Sequence, residues 1–239
     1  MNTLSQSHMS QDDSKTTHAR YPVWKNVVPI PPEGLLWSVG GSSLELFFVV
    51  GDAWWQVMAR HLAPESTVVD IGCGCGRAAR VLLPHPSVRK YVGFDVIPES
   101  IAWCNTFIQP LFGDRASFIH YDLYSAEYNP RADMRASDLR FPCDDLSVDM
   151  VVAASVFTHL LESDARHYLR EIGRVLTTRG RALLSIHNAV PEGVRFTGTE
   201  TRIDIDTKYF LDLAAQAGLT EVDRIDDLCG QQLIVFGRK

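Results

Sequence analysis

The chain has no long apolar run: the longest unbroken stretches, residues 46–50 and 150–154, hold five residues each. A membrane-spanning helix needs roughly 20, so an integral helical membrane protein is excluded. No C-x-x-C pair is present, and the five cysteines, Cys73, Cys75, Cys104, Cys143 and Cys229, are scattered. A structural zinc site wants two closely spaced ligand pairs, so the expectation is free thiols in a reducing compartment and no metal. Positive charge is also short. Twenty-three Lys and Arg against 29 Asp and Glu give a formal net charge of −6, which argues against a phosphate-tracking surface and a nucleic-acid partner. The opening MNTLSQSHMSQDDSKTTHAR has no apolar core of the kind a secretory signal carries. A cytoplasmic protein is expected.

What is there fits one large globular domain: 239 residues, 46% hydrophobic and 22% charged. Residues 1–20, rich in Ser, Gln, Asp and Thr, are expected to form a disordered tail that includes His8 and His18. Residues 21–63 are expected to form a helical N-terminal cover. Its helix runs over 42–62, with Phe47, Trp54 and Trp55 as packing residues.

From residue 64 to 239 short β-rich runs alternate with helical patterns. Strands are predicted at 67–71, 91–95, 117–121, 148–152 and 181–186, and helices at 76–83, 98–109, 163–177 and 207–217. In the third helix Tyr168, Leu169, Ile172, Val175 and Leu176 share one face. Ser163 is expected to cap its start and Gly180 to follow its end. The fourth has Asp206 as cap and Gly218 as terminator. Strands alternating with helices imply a parallel sheet covered on both faces. The last two runs, 221–225 and 232–236, are too close for a crossover helix, so the final strand must run antiparallel. The expected fold is an α/β three-layer sandwich with a seven-stranded sheet, six strands parallel and the last reversed.

The most informative stretch is Val68-Val-Asp-Ile-Gly-Cys-Gly-Cys-Gly-Arg77, a strand that ends in three alternating glycines. Glycine lets the chain turn tightly and lets a ligand approach the backbone. Nicotinamide-dependent oxidoreductases use a similar loop, but theirs is spaced G-x-G-x-x-G. Here Asp70 at the strand end would also repel a pyrophosphate and attract a cation. Asp95 ends the second strand, nineteen residues after Gly76, where a carboxylate accepts ribose hydroxyls. Asp122 follows the third and can accept an adenine amine. One strand-end Asp is usually a turn former; three in succession beside a glycine loop point to a ligand.

The segments VVDIGCGCGR, YVGFD, FIHYDL and VDMVVAASVFTHLLESDARHYLREIGRVLTTRGRALLSI resemble class I S-adenosylmethionine-dependent methyltransferases, with a Rossmann-like fold. The resemblance covers roughly residues 60–239. It implies S-adenosylmethionine as cofactor. Gly72, Gly74 and Gly76, with Cys73 between them, would lie under it, and Asp95 with Val96 would hold the ribose. Asp122 and Leu123 would face the adenine, Asp70 would lie near the methionine end, and Ser155 and Phe157 would line the methionine side. The segment PIPPEGLLWSVGGSSLELFF resembles the lead-in of bacterial members that act on small molecules or sugars.

For the chemistry, a hydroxyl acceptor must lose its proton near neutral pH, and a neutral His suits that task. His159, after the fourth strand, and His187, ending the fifth, both fall on the carboxyl edge where such sheets bind ligands. Each is a candidate base; each is equally placed to shape the pocket. His120 and His167 are expected to lie away from the chemistry. Residues 188–206 form a connection long enough for a binding loop, with Arg195, Phe196 and Arg202 as candidate acceptor contacts. The 124–140 connection is also long, and its Asn129-Pro-Arg is not the Asn-Pro-Pro-aromatic motif of enzymes that methylate nucleobase or amide nitrogen. The expected reaction is methyl transfer to the hydroxyl of a small molecule, a sugar or secondary metabolite. Methyl transfer to a small amine, an oxidoreductase and a non-catalytic cofactor-binding module are the alternatives.

Overall fold

The computed structural model describes residues 28–40 and 43–239. The tail expected over 1–20 and the first part of the expected cover, 21–27, lie outside the described residues. The chain enters through a 3-10 helix, Glu33–Val39, stopped by Gly40 in the left-handed region at φ 66°. Helix α1, Leu44–His61, follows, its start capped by the Ser43 hydroxyl, which accepts the Leu46 N–H at 3.2 Å. Phe47, Trp54 and Trp55 are buried, so they pack as the sequence predicts.

The main sheet contains β1 (Ser66–Ile71), β2 (Val88–Asp95), β3 (Ala116–His120), β4 (Val148–Ala153) and β5 (Leu176–Ile186). A hairpin of β6 (Phe196–Thr199) and β7 (Arg202–Ile205) interrupts the chain before β8 (Leu219–Leu228) and β9 (Gln231–Arg238). The sheet order is β3-β2-β1-β4-β5-β9-β8. Strands β1 to β5 pair in parallel, while β9 is antiparallel to both β5 and β8. Six strands therefore share one direction and only the last is reversed. Every residue of β1 is buried, as a central strand covered on both faces requires.

Helices α1, α2 (Ala79–Leu82) and α3 (Pro98–Trp103) bury their apolar sides against one face of the sheet. Helices α5 (Glu162–Val175) and α6 (Thr207–Gln216) bury theirs against the other, with α4 (Gln109–Phe112) leading into β3. Tyr168, Leu169, Ile172 and Val175 form the buried stripe of α5. Asp206 caps α6 by accepting the Tyr209 N–H at 2.8 Å, and Gly218 at φ 78° ends it.

Five local expectations need correction. The helix predicted over 76–83 is regular only over Ala79–Leu82, because Gly74 and Gly76 sit at φ 51° and 91° and hold the preceding backbone out of a helix. The helix predicted over 98–109 widens into a π turn over Cys104–Ile108. Pro110 brings no N–H, and its ring would clash with the Thr106 carbonyl in a straight α-helix; the wider turn relieves this. Ser163 lies inside the first turn of α5, whose cap position is Leu161, and makes no cap bond there. Gly180 is not a helix terminator but a buried residue of β5, where a Cβ would press on Leu176 and the Val148 carbonyl. Finally, the 188–206 connection is not plain loop: it folds as the β6–β7 hairpin.

Candidate active site

Strand β1 pairs with β2 on one side and β4 on the other, so the chain crosses over at this point and leaves a crevice beyond the carboxyl ends of β1 and β4. A cavity of about 380 Å³ occupies that crevice. Its wall includes Gly72, Asp95, Val96, Leu123, Ser155, His159 and His187. Seven of the residues singled out in the sequence thus meet at one place.

The glycine loop and Asp95 are one unit. Gly72 and Cys73 donate their N–H groups to the Phe94 carbonyl at 2.9 and 3.1 Å. The Asp95 Oδ2 accepts the Gly74 N–H at 2.7 Å and Oδ1 accepts the Ile97 N–H at 2.9 Å. Each carboxylate oxygen has a second lone-pair direction, which leaves acceptor capacity on the cavity side for a vicinal diol. Burial pushes the Asp95 carboxyl above its ordinary range, against the pull of these N–H bonds. Gly74 is needed twice over: its φ of 51° is left-handed, and a Cβ would run into the Val39 side chain of the 3-10 helix.

Gly74, Gly76 and Cys73 support the loop from below and are not on the cavity wall; Cys73 is buried against the sheet. Asp70 is likewise beneath the wall, 2% exposed, accepting the Tyr91 hydroxyl at 2.5 Å. Burial pushes its carboxyl to about 7, opposed by the Tyr91 bond and the Arg77 charge. Asp122 is exposed and accepts the Asn129 amide at 2.9 Å, while Leu123 beside it is buried on the wall. Phe157 is fully buried edge-on to Phe210, 5.1 Å between ring centres, and does not reach the cavity. Ser155 sits at φ 63°, its N–H donated to the Ser185 hydroxyl at 2.8 Å. The Gln231 amide donates to Ser155 Oγ at 2.8 Å and accepts from Ser185 Oγ at 2.6 Å.

His159 is held at one nitrogen. Its Nδ1 lies 2.9 Å from the Glu200 carbonyl, at the tip of the β6–β7 hairpin, and 3.2 Å from Glu127 Oε2. Both partners only accept, so Nδ1 carries the proton and a neutral ring keeps its lone pair on Nε2. Tyr128 packs edge-on to the ring, 5.4 Å between centres, and stacks on Trp37 of the 3-10 helix at 5.9 Å. Burial lowers the pKa of His187, which favours its neutral form. The hairpin is fastened across both strand ends: Ile203 N–H donates to Thr158 and Ile205 N–H to His187, at 2.8 and 2.7 Å. Of the loop residues expected to meet the acceptor, Arg195 lies over the Tyr209 ring, Phe196 packs on the core and Arg202 pairs with Asp204. The hairpin presents Glu200 and Thr201 to the cavity in their place.

Several wall residues carried no role from the sequence. Arg77 stood in the quoted glycine motif; its guanidinium reaches back to the Val39 carbonyl at 2.5 Å and ties the N-terminal cover to the loop. Glu127 and Tyr128 lay in a connection whose length was the only signal. Gln231 had none, because nothing in the linear order places the start of β9 beside the end of β5.

The apolar wall of Val96, Leu123 and Phe94 beside the Asp95 carboxylate suits an adenine joined to a ribose. Comparisons with known proteins agree. Residues 69–184 match the family described as "Methyltransferase domain". An uncharacterized methyltransferase, YcgJ, of Bacillus subtilis strain 168 is 30% identical over 143 residues, 60% of this chain and 49% of that protein. The chain thus spans about half the length of this curated relative. The TehB-like S-adenosylmethionine-dependent methyltransferase of Corynebacterium glutamicum superposes with a TM-score of 0.53 at 20% identity, over 84% of this chain and 91% of that one. The 1,6-didemethyltoxoflavin-N1-methyltransferase of Burkholderia thailandensis, solved with S-adenosylhomocysteine, gives 0.57 at 18%, over 89% and 92%. The fold is that of the class I methyltransferases. Over residues 69–184 the chain is similar to that methyltransferase domain, and it shares its fold with S-adenosylmethionine-dependent methyltransferases.

Proposed function

We propose that this protein transfers a methyl group from S-adenosylmethionine to the hydroxyl of a small molecule, with His159 as the general base. The observation that carries this is the His159 imidazole on the cavity wall with its Nδ1 committed to acceptors. A pocket residue that only shaped the cofactor site would not need one nitrogen fixed and the other left basic. S-adenosylmethionine supplies a methyl group on a sulfonium, whose sulfur leaves with the bonding pair as the acceptor oxygen takes the methyl. The protein's work is to align that oxygen, exclude water and hold the proton that the hydroxyl gives up.

Asp95 takes the ribose hydroxyls, Gly72 and Val96 lie along the nucleoside, and Leu123 packs on the adenine, with Asp122 at its amine edge. Ser155, set by Gln231 and Ser185, borders the methionine part, and Asp70 provides negative potential beneath it. Gly74, Gly76 and Cys73 shape the loop. His187, with its neutral form favoured, faces the acceptor as a second polar contact. Residues 28–40 and 43–63 are the described part of the N-terminal cover, which closes the chamber over the glycine loop through Arg77, and residues 64–239 form the catalytic domain. The polar groups at the acceptor end, Glu127, Thr158, Glu200 and Thr201, beside the Tyr124 and Tyr128 rings, favour a polyhydroxylated acceptor such as a sugar. Among the described residues no single helix is long and apolar enough to cross a membrane, and the five free thiols fit the reducing cytoplasm.

The test is His159→Gln. Turnover with a hydroxyl acceptor falls about 100-fold or more, while calorimetric affinity for S-adenosylhomocysteine stays within twofold of wild type. Equal loss of binding makes His159 a pocket residue, and full turnover with amine acceptors alone moves the chemistry to nitrogen.

A further inference from the structure

The 124–140 connection is longer than joining β3 to β4 requires, and its fold accounts for the excess. Ser125 and Asn129 exchange backbone hydrogen bonds at 3.2 and 3.0 Å, the Ser125 hydroxyl accepts the Tyr128 N–H at 3.3 Å, and Asp122 holds the Asn129 side chain. The turn so closed projects Glu127 and Tyr128 to the cavity wall. There Glu127 Oε2 reaches His159 Nδ1 at 3.2 Å, and the Tyr128 ring lies against the imidazole edge.

We propose that Glu127 is a positioning residue for the His159 base. Its carboxylate shares the Nδ1–H with the Glu200 carbonyl, keeps the ring turned so that Nε2 is the free nitrogen, and balances the charge that appears when Nε2 takes the acceptor's proton. The proton moves from the acceptor oxygen to Nε2, and the electron pair it leaves becomes the new bond to the methyl carbon. This inference rests on His159 being the base of the proposed reaction.

The other groups facing the ring do not supply that charge. Tyr128 stays a neutral phenol, its hydroxyl pushed up to about 12 by burial and then by Glu127. Burial and then the Arg202 charge lower the pKa of His187, so its neutral form is favoured and it supplies no negative charge. Glu200 contributes its carbonyl, a dipole that fixes the tautomer without a full charge. A pair this open to solvent adds little to folding stability: the side chains are 24% and 38% exposed. Its value lies in the proton transfer.

The measurement needs no acceptor: imidazole nitrogen NMR of the full chain saturated with S-adenosylhomocysteine, followed over pH. In wild type the neutral ring reports Nδ1–H. In Glu127→Gln the midpoint of the His159 titration moves to lower pH, because the opposite charge is gone, with the melting temperature kept. Raising NaCl to 0.5 M lowers the wild-type midpoint and leaves that of Glu127→Gln in place. An unchanged midpoint in Glu127→Gln, or a salt response equal in both proteins, overturns the proposal. Failure of His159→Gln to slow turnover removes the base itself, a different result from the loss of Glu127's part in it.

Discussion

Replacing Asp95 by Asn changes one atom and tests the cofactor assignment sharply. The two carboxylate oxygens accept one backbone N–H each, from Gly74 at 2.7 Å and Ile97 at 2.9 Å. A carboxamide satisfies one of them and turns an NH₂ toward the other. The side chain is 7% exposed, so water cannot repair the clash. One buried N–H left without a partner costs about 1–3 kcal/mol, which urea unfolding of the free protein reads directly. For the ligand the loss is separate: hydrogen bonds from ribose hydroxyls to a charged acceptor contribute about 1.5–3 kcal/mol, or roughly 10- to 100-fold in Kd. Calorimetric titration with S-adenosylhomocysteine measures it. The same substitution costs far less against the 2′-deoxy analogue, because one of the affected hydroxyls is already missing. Equal losses for both ligands, or affinity within twofold of wild type, would refute the placement of the ribose at Asp95.

Asp70 gives a pH signature. Its folded carboxyl, pushed to about 7 from an ordinary 3.8, holds a proton that the unfolded chain releases, so stability falls as pH rises between about 4 and 7. Asp70→Asn removes that slope; its advantage over wild type in urea unfolding grows through this window, by at most about 1.4 kcal/mol per unit, and levels off above it. A pH-independent difference sinks the assignment. Gly74→Ala forces a side chain into left-handed backbone and against Val39; the free energy of unfolding should fall by about 1–3 kcal/mol, and proteolysis within residues 28–40 should quicken. Gln231→Ala strips Ser155 and Ser185 of a shared partner. It should lower S-adenosylhomocysteine affinity severalfold, and unchanged binding would show that Ser155 does not border the ligand.

The seven-stranded, mostly parallel sheet and its reversed last strand were legible because apolar runs, helical periodicity and one short connection left few alternatives. The meeting of the glycine loop and Asp95 was legible for a similar reason: they are near each other in sequence as well as in space. The surroundings of His159 were not. His159 could be picked out by residue type, but Glu127 and Glu200 reach it from two separate connections. Only the folded hairpin and the closed 125–129 turn bring them together, and no periodicity marks either. Side chains such as Phe157 mislead for the opposite reason. Its neighbours in sequence line the cavity, yet it turns into the core against Phe210. Pro110 bends a helix whose apolar pattern reads as straight, because the pattern records faces and not backbone hydrogen bonds.

The most direct test of the central claim is the fate of the methyl group. The protein is incubated with carbon-13 methyl-labelled S-adenosylmethionine and a panel of sugars, phenols and amines, and the label is located by NMR. The account predicts a methyl ether, formed with one S-adenosylhomocysteine per label transferred. Label on nitrogen would contradict the hydroxyl acceptor, and a protein that fails to bind S-adenosylmethionine at all would contradict the site.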